Sequence, residues 1–484
     1  MQDVPQQERA LILQGGGSLG AYEVGAYKAA YPITRYRDKK LGRTGQMFSI
    51  IAGTSIGAIN SAILTSYVIE NKTWEGSAER LIDFWNYIST ESISDKFAEQ
   101  MMWWWEYWHK IFSDAATGET ARRYYSSKEF AFTGAPKVFS SPQPEPDKRF
   151  FDPFNAWYRY DNTPLKRSLE KFAKFPIATS REANEPRLLL VTVDVLESMP
   201  VVFDSYAKKD GTRESGYGRL IMEDDNKNSN KNKKIIGFEH VIKYPNGITA
   251  EHVIASAAVP VNFDYSKMET ERYDPQTKSY KKETRYFWDG GILANTPLMQ
   301  VVQAHRQYWY YEKHVKNEIP KLDIVMVNLH PSKVDMVPWD HDGTRNRELD
   351  ISLGDRSKND ETIILVFQMY TDLIRDLIRL AKDNGATQKI IDDLLDRPVP
   401  TQERMEGVRG TIYRDAVDGA FNMGDIMRIQ RKHDEYSISN KIFDFSEKTI
   451  KSLLHDGYND LIEQAIEWFG VEQVKAAGIQ FDKE

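Results

Sequence analysis

The 484-residue chain has no cysteine, which excludes disulfide bonds, thiol nucleophiles and cysteine-ligated zinc or iron–sulfur sites. It also lacks an excess of basic residues: 64 Lys and Arg against 71 Asp and Glu give a net charge of −7. No overall positive field therefore attracts nucleic acid. Apolar residues (41%) and charged residues (28%) are near the globular average. We expect a folded, soluble, cytoplasmic protein that does not bind nucleic acid.

We expect neither a targeting segment nor a membrane-spanning segment in this sequence. Its first residues, MQDVPQQERALIL, have neither the basic nor the long apolar region of a signal peptide. Residues 47–69 carry no charge over a length that could span a bilayer. Glycines, Asn60 and several hydroxyl side chains interrupt this run. We predict that it forms a buried strand, a tight turn and a helix instead.

Strands alternate with helices along much of the chain, which predicts a mostly parallel sheet. Strand candidates occupy residues 10–13, 49–52, 187–195, 285–288 and 322–329, and the last three are the continuous, largely β-branched or aromatic runs expected of strands buried on both faces. Amphipathic helices are predicted at residues 361–385 and 447–470. A polar tract at 226–234 is predicted to be a hairpin tip. The predicted fold class is a three-layer α/β/α fold with a mostly parallel central sheet and helical insertions.

A glycine-rich turn, Gly15–Gly20, directly follows the first strand and opens a helix. Its backbone N–H groups can converge on negative charge beside the helix N-terminus. The same residues match a dinucleotide-binding pattern, which requires an acidic residue at the end of a second strand about twenty residues later. The one candidate, Asp38, has no apolar strand before it. A purely structural turn is another alternative.

Gly53-Thr54-Ser55-Ile56-Gly57 matches the G-x-S-x-G pattern between a predicted strand and a predicted helix. In this context a serine is held on a sharp turn with its hydroxyl exposed. Flanking glycines allow close backbone approach. The glycine-rich turn upstream is then a candidate oxyanion hole for a serine nucleophile.

A serine nucleophile needs a base to take its proton. None of the nine histidines lies in a turn motif that would aim it at Ser55; they are at positions 109, 240, 252, 305, 314, 330, 341, 433 and 455. Asp289 ends a predicted strand and precedes two glycines. Carboxylates at strand ends of α/β sheets face the binding crevice. The alternative is that Asp289 is a turn or helix-capping residue.

Four motifs in this order resemble the patatin-like phospholipase family: QGGGSLGAYEVGAY, GTSIGAIN, SAAVPVNF and WDGGILANTPL. The resemblance implies hydrolysis of fatty-acyl esters in lipids by a Ser–Asp dyad without histidine, metal or organic cofactor. It also implies a role for each matching residue: Ser55 is the nucleophile, Asp289 the base, Gly15, Gly16 and Gly17 the oxyanion donors, and Gly53 and Gly57 the glycines of the nucleophile elbow.

The resemblance covers most of the chain and suggests a catalytic core at 8–332 with a helical, aromatic insertion at about 78–160. Residues 333–484 are expected to be mostly helical and integrated with the core, with a strand at about 426–431. We expect the parts outside the minimal family fold, residues 90–160 and about 333–423, to cover the site or mediate assembly.

Residues 101–112 are unusually aromatic, and one helical face cannot bury all of them. Met101, Trp104, Trp108 and Ile111 form a plausible core stripe. Trp103 and Tyr107 are then candidates for lipid contact, either at a membrane surface or in an acyl pocket. We therefore expect peripheral membrane contact in addition to a lipid or fatty-acyl ester substrate.

The sequence thus predicts a serine lipid acyl hydrolase of phospholipase A or lysophospholipase type. One alternative is a Ser–Asp–His esterase with His305 or His330 as the base. Another is a non-catalytic lipid-binding or membrane-scaffold protein that keeps the motifs as architecture.

Overall fold

The computed structural model describes residues 4–43, 45–92, 118–140, 159–224, 233–315, 319–399, 412–418, 421–432 and 436–479. The strands are β1 (Gln7–Leu13), β2 (Ile50–Thr54), β3 (Gly134–Ala135), β4 (Phe139–Ser140), β5 (Arg187–Asp194), β6 (Met199–Asp204), β7 (Glu214–Asp224), β8 (Lys233–Lys243), β9 (Ser266–Asp274), β10 (Ser279–Asp289), β11 (Lys321–Asn328) and β12 (Met423–Gln430).

The α-helices are α1 (Gly20–Lys40), α2 (Ile56–Asn71), α3 (Ser77–Ile88), α4 (Gly118–Thr133), α5 (Thr163–Phe172), α6 (Ala250–Ser256), α7 (Gly291–Ala294), α8 (Leu298–Arg306), α9 (His341–Ser352), α10 (Ser357–Asp383), α11 (Gln388–Leu395), α12 (Tyr413–Val417), α13 (Glu447–Phe469) and α14 (Val471–Ala476). A 3-10 turn spans Gly17–Leu19 and another spans Lys441–Phe443, and a π-helical segment spans Gln307–Glu312.

Ten strands form one mixed sheet in the order β12-β11-β1-β2-β5-β10-β9-β8-β7, with β6 paired to β5 outside this path. The strands from β12 to β5 are parallel. From β10 to β7 the pairing is antiparallel. The predicted parallel sheet is therefore confirmed as the central part of the fold, and an antiparallel extension that the sequence analysis did not foresee continues it.

Side chains alternate between the two faces of the sheet, which explains the continuous apolar runs of its strands. In β1, Leu11 and Leu13 pack with α1, α2, α3 and α13 on one face. Ala10 and Ile12 pack with α8 and α10 on the other. Helices thus cover both faces, and the three-layer α/β/α prediction is confirmed.

The C-terminal part of the chain contributes to this core. Strand β12 lies parallel to β11, and helix α13 packs along α1, where the Tyr22 hydroxyl donates a 2.7 Å hydrogen bond to Asp460. The predicted strand at 426–431 and the predicted helices at 361–385 and 447–470 are confirmed. The boundary between 332 and 333 stays a prediction.

The uncharged run at 47–69 forms β2 and most of α2, and both elements are largely buried, as predicted. Within the described ranges, no helix combines the length and the apolar character that crossing a membrane requires. Strands β7 and β8 pair antiparallel on either side of the predicted hairpin tip. Residues 226–232 of the predicted tip lie outside the described residues, whereas Lys233 and Lys234 belong to β8. Trp103 and Tyr107 also lie outside the described residues.

Candidate active site

The ends of β2 and β10 meet head to head along one edge of β5. Strand β2 runs parallel to β5 and ends with Thr54 opposite Val191. Strand β10 runs antiparallel to β5 and ends with Asp289 opposite Thr192, the next residue of β5. The residue after β2 is Ser55. This topology therefore brings Ser55 to the end of β10, although the two segments are far apart in sequence.

Ser55 occupies a strained turn between β2 and α2. Its φ of 56° and ψ of −124° are unusual for a residue with a side chain. The turn is tightly packed, because a Cβ on Gly53 would clash with the carbonyl oxygen of Gly57, and one on Gly57 would clash with that of Leu13. The Ser55 N–H donates to the carbonyl oxygen of Ser256 at 3.0 Å. The sharp turn predicted from G-x-S-x-G is confirmed.

Asp289 is buried, with 4% of its surface exposed. Its Oδ1 accepts a 2.7 Å hydrogen bond from the N–H of Gly291, and its own N–H donates to Ala258 at 2.9 Å. Burial raises the pKa of Asp289 to about 6, against the opposing effect of hydrogen bonds from the Ser55 side chain and the Gly291 N–H. The pKa of this carboxyl group therefore lies closer to neutral pH than that of an exposed aspartate.

The glycine-rich turn lies beside Ser55, with Gly15, Gly16 and Gly17 in the wall of the same pocket. The N–H of Gly15 donates to Oδ1 of Asn295 at 3.1 Å, and Nδ2 of Asn295 donates back to the Gly15 carbonyl oxygen at 3.1 Å. Within the described residues, the N–H groups of Gly16 and Gly17 have no protein acceptor. These two donors are therefore available to a ligand.

A buried polar network holds the far side of this turn. Nε2 of His330 lies 3.2 Å from the Gly15 carbonyl oxygen, and Nδ1 lies 3.0 Å from Oδ1 of Asp350. Nζ of Lys441 donates to the same carboxylate at 2.6 Å. Burial lowers the pKa of His330, and its hydrogen bond to Asp350 opposes this effect. His330 therefore supports the glycine turn and makes no hydrogen bond to Ser55.

Gln14 fixes the start of the same turn. Its Oε1 accepts a 2.6 Å hydrogen bond from the Leu329 N–H, and its Nε2 donates to Oγ1 of Thr296 at 2.9 Å. No motif in the sequence indicates these supporting contacts. They connect positions that are distant in sequence, and neither Asp350 nor Lys441 lies in a recognisable turn motif.

An apolar pocket of about 130 Å³ opens beside Ser55 and Asp289. Its wall is formed mainly by aliphatic and aromatic side chains from several parts of the chain: Ile59, Val138, Phe139, Leu165, Val259, Phe263, Ile292, Leu353, Ile442, Phe443 and Phe445. Such a wall suits an alkyl chain, because it offers apolar contact and few hydrogen-bonding groups. The sequence analysis did not predict the pocket aromatics.

The other predicted candidates lie elsewhere. His305 is buried against Glu8, with Nε2 and the carboxylate 3.2 Å apart. Among the histidines of the described ranges, none forms a hydrogen bond with Ser55, whereas His109 and His433 lie outside those ranges. Asp38 is in α1 and pairs with Arg9 at 2.8 Å. It does not end a second strand, so the dinucleotide alternative lacks its acidic residue.

The sequence matches the family model described as patatin-like phospholipase over residues 11–302. A search of curated protein sequences gives no match. Among solved structures, VipD from Legionella pneumophila is 11% identical over 99% of this chain and 72% of its own, with a TM-score of 0.28. Human GIVD cytosolic phospholipase A2 is 11% identical over 98% of this chain and 60% of its own, with a TM-score of 0.32.

These two structural similarities are too low to carry an argument. The family match stands without them, because it spans more than half of the 484 residues and includes Ser55, Asp289 and the glycine turn. The chain belongs to the patatin-like phospholipase family.

Proposed function

We propose that this chain is a serine lipid acyl hydrolase, of phospholipase A or lysophospholipase type, that acts through a Ser55–Asp289 dyad. Family membership supports lipid acyl ester hydrolysis as the class of activity. One observation supports the assignment of the dyad. Strands β2 and β10 end at adjacent residues of β5, which places the Ser55 turn and the buried carboxyl of Asp289 beside an apolar pocket.

In the proposed reaction, the Ser55 hydroxyl oxygen attacks the ester carbonyl carbon while Asp289 takes the hydroxyl proton. The carbonyl oxygen becomes an oxyanion. When the tetrahedral intermediate collapses, the alcohol leaves with the proton from Asp289, and the acyl group stays on Ser55. A water molecule then gives a proton to Asp289 and attacks the acyl carbon. When this second tetrahedral intermediate collapses, Asp289 returns the proton to the Ser55 oxygen, which restores the serine and releases the fatty acid.

The oxyanion is assigned to the N–H groups of Gly16 and Gly17. This assignment differs from the expectation for Gly15, because the Gly15 N–H already donates to Asn295. Gly15 acts instead through its carbonyl group, which shares a peptide plane with the Gly16 N–H. Asn295 donates to that carbonyl oxygen, and Nε2 of His330 lies 3.2 Å from it. They fix the direction of the peptide and polarise its N–H group.

Peripheral contact with a lipid surface is part of this proposal. Ile292, in the wall of the pocket, is 42% exposed, and its neighbour Leu293 is 45% exposed. Val261 is 60% exposed and follows Pro260, another wall residue. Apolar side chains at a pocket mouth are suited to meet lipid. Trp103 and Tyr107 stay predicted lipid contacts.

The proposal is tested by turnover of a short-chain chromogenic ester, followed by mass spectrometry of the products from phospholipid. Ser55→Ala and Asp289→Asn should each reduce turnover to near background. Ser61→Ala is a matched control, since Ser61 lies on α2, the helix that follows Ser55, with a buried hydroxyl that has no hydrogen-bond partner among the described residues. Full activity in either dyad variant, or a loss of activity in the control, would refute the assignment.

A further inference from the structure

Helix α10 exposes an extensive apolar surface. Ten of its large apolar side chains are between 39% and 59% exposed: Ile363, Leu365, Val366, Phe367, Met369, Tyr370, Leu373, Ile374, Leu377 and Leu380. At roughly 100 Å² each, they leave on the order of 1,000 Å² of apolar surface. The largest apolar patch on a typical monomer is about 300–600 Å². An exposed surface of this size indicates an interaction site.

Most of these side chains form one stripe along the helix. Six follow each other at spacings of three and four residues: Ile363, Val366, Tyr370, Leu373, Leu377 and Leu380. Ile364 and Thr371 lie on the other side of α10 and are buried, Ile364 in the core that also contains residues of α8. The stripe therefore faces away from the body of the protein. Its spacing is that of helices that pack against another helix.

We propose that two copies of this chain associate through α10, helix against helix, around a twofold axis. A twofold contact needs one self-complementary surface rather than two different ones. With the axis between Thr371 and Asp372, an antiparallel pair places Ile363 opposite Leu380. The same arrangement places Val366 opposite Leu377, and Tyr370 opposite Leu373. Every residue of the stripe then faces an apolar residue.

The area and the width of the exposed apolar surface of α10 suit contact with a second copy of the same helix. A standard protein interface buries about 800 Å² per partner, and the exposed apolar surface of α10 reaches that value. Phe367, Met369 and Ile374 widen the stripe beyond a narrow coiled-coil seam, as is typical of helices in a bundle. Helix α11 adds Ile390 and Leu394, which are 62% and 51% exposed.

A lipid surface is the less suitable occupant for this helix. Helices that lie on membranes are rich in Lys and Arg on their polar face. Helix α10 has a balanced set: Lys358, Arg375, Arg379 and Lys382 against Asp360, Glu361, Asp372, Asp376 and Asp383. The chain as a whole is acidic, with a net charge of −7. Neither feature assists binding to an anionic membrane, so a second copy of α10 is the better partner.

The test is sedimentation equilibrium of the full chain between 0.1 and 50 µM. The wild type should be dimeric at micromolar concentration. The double variant Leu373→Asp/Leu377→Asp should raise the dissociation constant by at least about 100-fold, because it buries unpaired charge in the contact. Arg379→Asp is the matched control: it changes the net charge by the same amount on the same helix, but the Arg379 side chain is 75% exposed outside the stripe.

The control should remain dimeric, and all variants should keep their circular dichroism spectrum and their turnover of a soluble ester. The oligomeric state can be tested independently of the catalytic proposal, because no residue of the α10 stripe lines the pocket that contains Ser55 and Asp289. A monomeric wild type at 50 µM, or a double variant that is still dimeric, overturns the proposal. A monomer that binds neutral vesicles only when the stripe is intact would reassign α10 to lipid.

The absence of cysteine makes the orientation testable as well. Single-cysteine variants at Tyr370 and Ile363 can be treated with a short thiol cross-linker. The antiparallel pair places Tyr370 near the axis and Ile363 far from its own copy, so only Tyr370→Cys should cross-link. Cross-links at both positions would indicate a parallel pair of helices instead of an antiparallel one. Cross-links at neither position would contradict the proposed contact between the two copies of α10.

Discussion

Replacement of Asp289 by Asn is expected to stop ester turnover and, at the same time, to stabilise the folded chain at pH 8. Burial raises the pKa of this carboxyl from 3.8 to about 6. A rise of this size corresponds to about 3 kcal/mol of free energy that disfavours the ionised form in the folded state. At pH 8 the wild type carries that cost, whereas the amide side chain does not.

The direction of the pH dependence follows from the sign of the shift. The folded pKa lies above the unfolded one, so the folded state holds the proton more tightly between pH 4 and pH 6. The stability that this proton contributes is complete below about pH 4 and is lost as the pH rises through about 6. Asn carries no charge at any of these pH values, and its oxygen can still accept the Gly291 N–H. The variant should therefore match the wild type at low pH and exceed it at high pH.

Urea denaturation followed by circular dichroism at a series of pH values from 4.5 to 8.5 measures this difference. We expect the advantage of Asp289→Asn to grow with pH to at most about 3 kcal/mol. Ser55→Ala is the control, because it removes turnover but keeps the buried carboxyl. Loss of the Ser55 hydrogen bond leaves the raised pKa of Asp289 in place or raises it further, so the stability of this variant should fall with pH at least as much as that of the wild type. An Asn variant less stable than the wild type at pH 8, or a difference that does not change with pH, would refute the reasoning.

Four further outcomes follow from the same site. Turnover of a soluble ester should rise with pH through about 6, because only ionised Asp289 accepts the serine proton; a profile that is flat between pH 5 and 7.5 would count against this base. The double variant Ser55→Ala/Asp289→Asn should be hardly slower than either single variant, since residues that act as one unit are not additive. Gly16→Val should lower kcat by about 100-fold or more, because it displaces an oxyanion donor. The displacement is expected because a Cβ at this position would approach the Leu329 side chain to 2.7 Å. An active, folded variant would exclude this turn from the mechanism. His330→Ala should slow turnover by only about tenfold, through the loss of one hydrogen bond to the glycine turn, whereas a loss of about 1,000-fold in a folded variant would indicate a triad.

The features of the site that are encoded within one short segment could be predicted from the sequence. The turn at Ser55 was predictable because a β-branched strand, two flanking glycines and an apolar helix follow each other within a few residues. The parallel strands were predictable for the same kind of reason: burial on both faces requires continuous apolar runs. Asp289 was recognisable as the residue that ends a strand before two glycines. Each of these signals is contained in one short segment.

The remaining features depend on contacts between distant segments. No local pattern shows that β10 enters the sheet antiparallel and meets β2 end to end. The same holds for the support of the glycine turn, where His330, Asp350 and Lys441 come from a strand end, a helix and a short 3-10 turn. The phenylalanines of the pocket wall are likewise scattered along the sequence at positions 139, 263, 443 and 445, so no local pattern indicates that they share one pocket.

The apolar pocket connects substrate choice to the strength of the base. A carboxylate in water has a pKa near 3.9 and is a weaker base than histidine, whose pKa is near 6.5. Burial brings the pKa of Asp289 to about 6, close to that of an unperturbed histidine, and no charged partner among the described residues contributes to this rise. The apolar wall of the pocket suits an acyl chain and does not suit a polar group. In the proposed mechanism, a dyad without histidine therefore depends on an apolar pocket, because the surroundings that accept the lipid chain also make the carboxylate basic enough to accept the proton of Ser55.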